Sequence, residues 1–294
     1  MIFQLFKQVR SFLFVILILL SSITYNLNII FDLGNVLIKT DRYTAFSLTG
    51  HSTFLWYAVY NPHRLTHLSH YIRHRLYSFI HLIKPYDTHD KNQLISKDEH
   101  GNTLPQIMID WLKNDMTNQE IRSTLLQAAN QHPEFFTSDA EQKLIRALIT
   151  FMFSPEKFTQ ALMLDPHAPN FVKQYKQAGH KLYILSNFDT ESYLLLQKKY
   201  AQFFALFDGI VISGDIHQAK PKPDIYRYLL ETYQLNPAEC IFIDDRIENR
   251  IMGEQLGISC FFKQRRSCWA PWQQELDFDA LSHFMMQANF AHDH

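Results

Sequence analysis

Cysteine is scarce in this chain of 294 residues, which has three: Cys240, Cys260 and Cys268. None of them lies in a CxxC or other metal-ligand spacing, and an odd, sparse set argues against a disulfide scaffold. Cys240 and Cys260 fall in apolar runs, where a small buried hydrophobic residue is the simplest interpretation. We therefore expect neither a cysteine-based metal site nor a disulfide framework.

A marked excess of charge is also missing. The chain has 28 basic and 29 acidic residues, which gives a formal net charge of -1. No strong global field is available to recruit nucleic acid or acidic lipid, so we expect no nucleic-acid partner and only local electrostatic recognition. Apolar residues make up 47% and charged residues 19%, a globular composition, and the length suits one large domain or two smaller ones.

Long hydrophobic runs are few, and the most notable is at the N-terminus. Lys7 and Arg10 precede residues 12–20, which are wholly apolar. This arrangement resembles the basic and hydrophobic regions of an export signal, although the run is shorter than the ~20 residues of a comfortable membrane span. Residues 1–27 are thus a hydrophobic segment that acts as a signal, an anchor or a packed helix. A signal or an anchor would associate with a membrane through residues 11–24. We expect the protein to be cytoplasmic, or to be exported or membrane-associated if residues 1–24 act as a signal or an anchor.

Short apolar strands alternate with helices in the second half of the chain and around residues 28–31. The pattern predicts strands at 28–31, 182–185, 209–212, 240–243 and 259–262, and helices at 170–177, 191–203, 223–233 and 248–256. Such alternation is typical of a parallel sheet covered on both faces, an α/β fold whose ligands bind at the carboxyl ends of the strands.

Between residues 43 and 165 the character changes. Helical periodicities and aromatic residues dominate there, with two glycines, Gly50 and Gly101, and a polar stretch at 85–101 that predicts a loop. We therefore predict an α/β core of residues 28–42 and 166–294, divided by a helical insertion of residues 43–165. The aromatic run at 54–60 is expected to belong to the insertion's core.

Four polar clusters follow apolar strands of the predicted sheet. They are Asp32, Ser186 with Asn187, Lys220, and Asp244 with Asp245. A carboxylate such as Asp32 can attack an electrophile and form a covalent ester, and phosphoryl transfer needs extensive charge neutralisation, which Lys220 can supply. The Ser186 hydroxyl and the Asn187 backbone can donate hydrogen bonds to phosphate oxygens. The Asp244 and Asp245 carboxylates can hold a hard divalent cation such as Mg²⁺ beside Asp32.

The same clusters resemble the four motifs of the haloacid dehalogenase superfamily. FDLGNVL at residues 31–37 is similar to motif I, LSN at 185–187 to motif II, KP at 220–221 to motif III and FIDD at 242–245 to motif IV. The resemblance implies a Rossmann-like parallel sheet with a large inserted α-helical cap. It also implies a hydrolase, most simply a Mg²⁺-dependent phosphatase that acts on a small phosphorylated metabolite through an aspartyl-phosphate.

The resemblance assigns a role to each site residue. Asp32 is the nucleophile, Lys220 the charge stabiliser, and Ser186 with Asn187 and Lys220 the phosphate-binding groups. The metal ligands are Asp32, the Gly34 backbone carbonyl, and Asp244 and Asp245. Lys222 competes with Lys220 for its position, and Asn249 either braces the motif IV loop or acts directly.

One position departs from the usual pattern. Most phosphatases of the superfamily carry a second Asp, the general acid and base, two residues after the nucleophile, where this chain has Gly34. The Asp-Leu-Gly-Asn form resembles a sugar-phosphate phosphatase-like subset. Protonation of the leaving group then comes from water, a cap residue or the substrate, and Asp41 is one alternative. Metal-independent dehalogenation and a non-catalytic binding role remain open alternatives.

A histidine pattern in the insertion is not absorbed by these motifs. His63, His67, His70 and His74 recur at helical spacing. A polar helix face is the simplest interpretation, with transition-metal binding or contact with an anionic substrate as alternatives.

Overall fold

The computed structural model describes residues 26–62, 68–83, 95–97 and 103–262. Its strands are β1 (Asn28–Phe31), β2 (Ile38–Thr40), β3 (Leu162–Leu164), β4 (Lys181–Ser186), β5 (Gly209–Ile212), β6 (Cys240–Asp244) and β7 (Ser259–Phe262). Its α-helices are α1 (Arg42–Thr49), α2 (His51–Tyr60), α3 (Leu68–Ile83), α4 (Gln106–Leu112), α5 (Asn118–Gln131), α6 (Asp139–Met152), α7 (Pro155–Gln160), α8 (Ala168–Gln177), α9 (Thr190–Lys199), α10 (Ala201–Phe204), α11 (Ser213–Ile216), α12 (Pro223–Thr232) and α13 (Ile247–Gln255).

A parallel sheet forms the centre of the fold. Among the described residues it contains five strands in the order β5-β4-β1-β6-β7. β1 lies in the middle and pairs with β4 on one side and with β6 on the other. The strands are short, apolar and buried, as expected for a parallel sheet covered on both faces. The α/β prediction is confirmed, and all five predicted strands are present.

Successive residues of the strands face two separate hydrophobic clusters. Ile29 and Phe31 of β1 pack with residues of α8, α9 and α10, whereas Ile30 packs with residues of α12 and α13. This alternation follows from the two-residue period of a strand. Helices therefore cover both faces of the sheet, and the edge formed by the carboxyl ends of the strands is left for the polar motifs.

The insertion is helical and has its own core. Helices α3 to α6 contribute most of a cluster that includes Phe79, Ile121, Leu125 and Ile149. β2 and β3 pair antiparallel, Ile38 with Leu164 and Thr40 with Leu162, where the chain leaves the core and where it returns. The fold is thus a Rossmann-like core with a helical cap, and the division at residues 42/43 and 165/166 stays a prediction.

The aromatic run at residues 54–60 is only partly a core segment, contrary to the expectation. Tyr57 is buried, but Leu55, Trp56, Val59 and Tyr60 are exposed. They lie on one face of α2, because residues three and four apart share a helix face. The sequence of this helix is apolar on all sides, so its periodicity could not tell which side is covered.

Three further sequence predictions fall wholly or partly outside the described residues. These are the hydrophobic segment, the loop at 85–101 apart from residues 95–97, and the histidine pattern apart from its two positions on α3, His70 and His74, the second of which is exposed. No helix within the described residues has the length and apolar character needed to cross a membrane. The compartment and the membrane association stay predictions.

Candidate active site

The four polar motifs meet at the carboxyl edge of the sheet. Asp32 follows β1, Ser186 ends β4, Lys220 lies in the loop after β5, and Asp244 ends β6. β4, β1 and β6 are adjacent and parallel, so their ends bring these side chains together. Asp32, Ser186, Lys220, Asp244 and Asp245 are all buried in the structure.

Lys220 is the centre of the arrangement. Its side chain is only 1% exposed, and its Nζ atom donates hydrogen bonds to Asp32 Oδ1 at 2.8 Å, Asp244 Oδ2 at 2.7 Å and the Leu185 carbonyl oxygen at 2.8 Å. Ser186 Oγ donates to the same Asp32 Oδ1 atom at 2.8 Å. One carboxylate oxygen of Asp32 thus accepts two hydrogen bonds, which fixes the orientation of the whole carboxylate group.

The charges of this cluster alter one another's titration. Burial alone would lower the pKa of Lys220, but the Asp244 and Asp32 carboxylates raise it above the ordinary lysine value. Burial raises the pKa of Asp244 to about 7, with Lys220 acting in the opposite direction and the neighbouring Asp32 and Asp245 adding to the rise. The lysine is therefore a firmly protonated cation, and the carboxylates form a site with an excess of negative charge.

Three carboxylates of the site are close enough to share a cation. Asp32, Asp244 and Asp245 each offer an oxygen, and these atoms lie within 4.8 Å of one another. With all three carboxylates ionised, the one ammonium of Lys220 leaves an excess of two negative charges, which a divalent cation would neutralise. Hard oxygen donors are the ligands that Mg²⁺ prefers, so the chemistry of these residues fits the metal.

Asp244 and Asp245 differ in their surroundings. Asp244 accepts hydrogen bonds from Lys220, from the Arg246 backbone amide at 2.7 Å and from Asn249 Nδ2 at 3.1 and 3.0 Å. Asp245 Oδ2 accepts from Asn35 Nδ2 at 3.0 Å, and Oδ1 lies 3.7 Å from Arg246 Nε. Donors surround Asp244 on both oxygens, so Asp244 also orients Lys220, while Asp245 is the better placed of the two for a metal.

Asn187 has a contact that the sequence did not reveal. Its side-chain Oδ1 accepts a hydrogen bond from the Lys220 backbone amide at 2.8 Å, and its Nδ2 donates to the Lys220 carbonyl oxygen at 2.9 Å. The side chain therefore fixes the backbone of Lys220. The predicted contact of the Asn187 backbone with phosphate is independent of this one and stays a prediction.

Gly34 and Asp41 bear on the missing general acid. A Cβ atom built on Gly34 would lie 3.7 Å from Asp32 Oδ2, an ordinary contact distance, so this position adjoins the Asp32 carboxylate. Asp41 instead caps α1, where it accepts hydrogen bonds from the Tyr43 amide and the Thr44 hydroxyl. The structure therefore gives Asp41 a structural contact and leaves the place beside Asp32 to a glycine.

Sequence reasoning missed two residues of the site and left the role of a third open. It missed Asn35, next to Gly34 and in a left-handed backbone conformation that Asn tolerates, which contacts Asp245. It also missed Ser96, whose Oγ donates to the Lys220 carbonyl oxygen at 2.9 Å from a polar stretch without any motif. Asn249 braces Asp244, which was one of the two alternatives considered for it. The proximity of Asn35 to motif I was a usable signal, whereas Ser96 offered none.

A family model matches most of the chain. The model, described as a haloacid dehalogenase-like hydrolase, matches residues 28–257. Among curated proteins, the chain is 24% identical to the Putative phosphatase YhcW of Bacillus subtilis over 194 residues, which is 64% of this chain and 82% of that protein. It is 28% identical over 100 residues to the Sesquiterpene phosphatase astK of Aspergillus oryzae, which is 34% of this chain and 50% of the fungal protein.

A third relative and two solved structures complete the comparison. The chain is 30% identical over 69 residues to the D-ribitol-5-phosphate phosphatase of Bacteroides thetaiotaomicron, 24% of this chain and 32% of that protein. The match thus spans half of the length of the fungal relative and about a third of the length of the ribitol-phosphate phosphatase.

Among solved structures, a HAD family enzyme of Bacteroides thetaiotaomicron has a TM-score of 0.50 at 18% identity, over 83% of this chain and 97% of the other. A mutant of it in complex with magnesium and inorganic phosphate gives 0.51 at 18% identity over the same shares. At such identity the likeness shows the fold.

Proposed function

The chain belongs to the haloacid dehalogenase-like hydrolases, and on that premise we propose that it is a Mg²⁺-dependent phosphatase acting on a small phosphomonoester through an aspartyl-phosphate on Asp32. The observation that carries the proposal is the position of Lys220 Nζ between Asp32 Oδ1 and Asp244 Oδ2, at 2.8 and 2.7 Å. A buried cation that orients one carboxylate against another is suited to a nucleophile that receives an anionic group.

The proposed reaction has two steps. In the first, an Asp32 carboxylate oxygen attacks phosphorus, the bond between phosphorus and the leaving oxygen breaks, and the leaving alcohol acquires a proton. In the second, water attacks the phosphorus of the aspartyl-phosphate, which releases inorganic phosphate and regenerates the Asp32 carboxylate. Lys220 offsets charge on Asp32 and on the transferring phosphoryl group, and the Ser186 hydroxyl is in position to donate a hydrogen bond.

The metal site supports the choice of a phosphatase over a metal-independent dehalogenase. Asp32, Asp244 and Asp245 and the Gly34 carbonyl would hold Mg²⁺, with Asp245 and Asp32 as the principal carboxylate ligands. Bound Mg²⁺ would supply a positive charge between nucleophile and phosphate that reduces their mutual repulsion. An excess of two negative charges, unneutralised, would itself repel a phosphate dianion.

The substrate class is proposed more broadly than any one metabolite. Three relatives carry the names of phosphatases. Two of the names state what the protein acts on, a sesquiterpene in one and D-ribitol 5-phosphate in the other, and the second of these is a phosphate ester of an alcohol. We therefore commit to a phosphomonoester of a small alcohol, with no nucleic acid as a partner.

Phosphate release from a panel of aryl, sugar and alkyl phosphates tests the proposal. Wild-type protein should release phosphate in Mg²⁺ and lose the activity in excess EDTA. Asp32→Asn should abolish turnover, because an amide cannot replace the carboxylate nucleophile. Asp139→Asn is the matched control, since Asp139 is exposed at the start of α6 in the insertion and belongs to none of the four motifs, so its variant should match wild type.

Three outcomes would contradict the proposal. Equal phosphate release by wild type and Asp32→Asn across the panel would remove Asp32 as the nucleophile. Halide release from a haloacid that persists in EDTA would favour the dehalogenase instead. A protein that hydrolyses nothing and shows no thermal shift with beryllofluoride and Mg²⁺ would indicate an inert site and a non-catalytic binding role.

A further inference from the structure

A short segment of the insertion lies against the loops that carry the catalytic motifs; we name residues 95–97 the strap. Ser96 Oγ donates to the Lys220 carbonyl oxygen at 2.9 Å. The Lys97 amide donates to Glu248 Oε1 at 3.0 Å, and Arg246 donates to the Lys97 carbonyl oxygen at 3.0 Å. Two consecutive strap residues therefore bind both the loop after β5 and the turn after β6.

The contact with Lys220 falls on a backbone that is held from the other side as well. The Asn187 side chain bonds both the amide and the carbonyl oxygen of Lys220, at 2.8 and 2.9 Å. Ser96 adds a third hydrogen bond to the backbone of the same residue. Because the Lys220 ammonium bonds Asp32 and Asp244, a shift of this backbone changes the position of the ammonium relative to the nucleophile.

The strap also reaches the carboxylates on the far side of the site. Arg246, which binds the Lys97 carbonyl oxygen, has its Nε atom 3.7 Å from Asp245 Oδ1. Glu248, which accepts the Lys97 amide, is buried in the first turn of α13. The strap thus connects the lysine on one side of Asp32 with the Asp245 carboxylate on the other.

The other side of the strap is tied to the helices of the insertion. Lys97 forms an isolated antiparallel bridge with Thr103, and the Leu104 amide donates to the Ser96 carbonyl oxygen at 2.9 Å. The Thr103 carbonyl oxygen lies 2.8 Å from His81 Nε2 on α3, and α4 begins at Gln106. Hydrogen bonds therefore run from α3 through Thr103 and Ser96 to Lys220.

We infer that Ser96 is a positioning residue that couples the inserted helices to the catalytic lysine. This inference rests on the proposed function, in which Lys220 offsets the charge of Asp32 and of the transferring phosphoryl group. Loss of the hydroxyl leaves the Lys220 backbone bonded to Asn187, so the site is loosened and not dismantled. Since Lys220 acts on charge that develops during the reaction, the loosening affects kcat more than KM.

Kinetics of Ser96→Ala, Ser96→Thr and Ser52→Ala test the inference on an ester that wild type hydrolyses. Ser96→Ala should lower kcat roughly three- to tenfold, the effect of one hydrogen bond, with KM changed less than about twofold. Ser96→Thr retains the hydroxyl and should restore most of kcat. Ser52 is exposed on α2, so Ser52→Ala should match wild type. Wild-type kcat in Ser96→Ala, or a defect in KM alone, would overturn the inference while leaving the proposed function intact.

If wild type hydrolyses no ester, the proposed function is lost and kinetics cannot test the role of Ser96. Amide hydrogen exchange then tests whether Ser96 holds the loop after β5. The Lys220 amide, bonded to Asn187, should exchange faster in Ser96→Ala than in wild type and Ser52→Ala at equal thermal stability. Faster exchange limited to the loop after β5 would support the coupling. Unchanged exchange of that loop would overturn it.

Discussion

At the scale of single residues, Lys220 shows how a buried charge is made tolerable and useful. A buried ammonium without partners would lose its proton, because burial disfavours the charged form. Here Asp244 and Asp32 hold the pKa of Lys220 above its ordinary value, and the Leu185 carbonyl oxygen accepts a further hydrogen bond. The cation is therefore fixed in charge and in place before any substrate arrives, which is what stabilisation of a charged transition state requires.

Gly34 is the residue at which the site departs from the usual pattern, and a substitution there has a definite expected result. A Cβ at this position lies 3.7 Å from Asp32 Oδ2, an ordinary contact distance, so a side chain can begin here beside the Asp32 carboxylate. We expect Gly34→Asp to raise kcat on alkyl phosphates roughly tenfold or more, because it supplies an acid for the leaving alkoxide. On p-nitrophenyl phosphate, whose leaving group needs no proton, the gain should be small.

Gly34→Asn is the matched control for size and polarity. It lacks a proton to transfer at the relevant pH, so its rates should stay at or below those of wild type with both classes of ester. A gain shared by Gly34→Asp and Gly34→Asn, or one equal for alkyl and aryl phosphates, would mean that leaving-group protonation does not limit this enzyme. Wild type should itself be much slower on alkyl than on aryl phosphates.

Three of the residues that sequence reasoning found share a property that Ser96, which it missed, lacks. Asp32, Ser186 and Asp244 come directly after apolar strands, so a simple rule about sheet edges locates them. Ser96 lies 124 residues before its partner Lys220, in a polar stretch with no pattern. Sequence reasoning found Asn187 but not the hydrogen bonds of its side chain with the Lys220 backbone. Nothing in a sequence shows which backbone segment a side-chain amide will contact.

At the scale of elements, the core was predictable and its connections were not. The strands at 28–31, 209–212 and 259–262 have the predicted bounds, since a short apolar run between helices has few other interpretations. β2 and β3 have three residues each and were missed, because so short a strand carries no usable period. The predicted helix at 191–203 is divided at Tyr200 into α9 and α10, with no Gly or Pro to mark the break.

Within the cap, a buried glutamate joins α3 to the start of α6. Glu141 is 1% exposed; its Oε1 accepts from Arg75 Nε at 2.7 Å, and its Oε2 accepts from the Thr137 amide and hydroxyl at 2.6 and 2.7 Å. The Arg75 guanidinium also lies over the Phe135 ring, 4.1 Å from its centroid. This cluster fixes the angle at which two cap helices meet, so it should contribute to the stability of the cap.

Glu141→Gln should lower the free energy of unfolding by about 2–3 kcal/mol at pH 7, because it removes one partner of a buried, hydrogen-bonded ion pair. Burial alone would raise the pKa of Glu141, but the bonds from Arg75 and Thr137 hold it below the ordinary glutamate value. A carboxyl group whose pKa is lower in the folded than in the unfolded chain stabilises the fold at pH values above its unfolded pKa. This stabilisation is lost as the pH falls through the pKa of the folded state. The difference in unfolding free energy between wild type and Glu141→Gln should therefore become smaller below about pH 4.3.

Urea unfolding at a series of pH values measures that gap. Glu231→Gln is the control, because Glu231 is exposed on α12 and its loss should cost little at any pH. A difference in unfolding free energy that stays constant from pH 7 into the acid range would assign the effect of Glu141→Gln to the shape of the side chain and not to its charge. No difference in unfolding free energy at pH 7 would show that the Arg75 pair contributes nothing to stability.

At the scale of the whole molecule, polar contacts among the described residues fasten the cap to the core at several places, two of which adjoin the sequence motifs. On one side the strap binds Lys220, Arg246 and Glu248. On the other, Asn118 at the start of α5 donates to Asp189 Oδ1 at 2.7 Å and to Glu191 Oε2 at 3.0 Å, just beyond motif II. The sequence predicts the cap and the core separately, each from its own hydrophobic pattern. It does not predict how they contact each other, because the contacts join residues that are distant in the sequence.

The excess negative charge of the site also has a consequence for the stability of the whole molecule. Asp32, Asp244 and Asp245 repel one another in the folded state, and Lys220 neutralises only one of them. Folding must therefore overcome a repulsion that a divalent cation removes. The protein should gain stability from Mg²⁺ because the metal binds the folded and not the unfolded chain, by about 2.7 kcal/mol at a concentration one hundred times its Kd.

Asp245→Asn separates the effect of the metal from that of the fold. In EDTA the variant should melt at or above the wild-type temperature, because it loses a repelled charge while its amide oxygen can still accept from Asn35. In Mg²⁺ wild type should gain several degrees in Tm, since about 1 kcal/mol corresponds to 2–4 °C in a chain of this size class, and the variant should gain far less. Thermal melts at matched ionic strength, with NaCl in place of MgCl₂, give the comparison. A variant that melts well below wild type in EDTA, or that gains as much from Mg²⁺, would show that the Asp245 carboxylate serves the fold and not the metal.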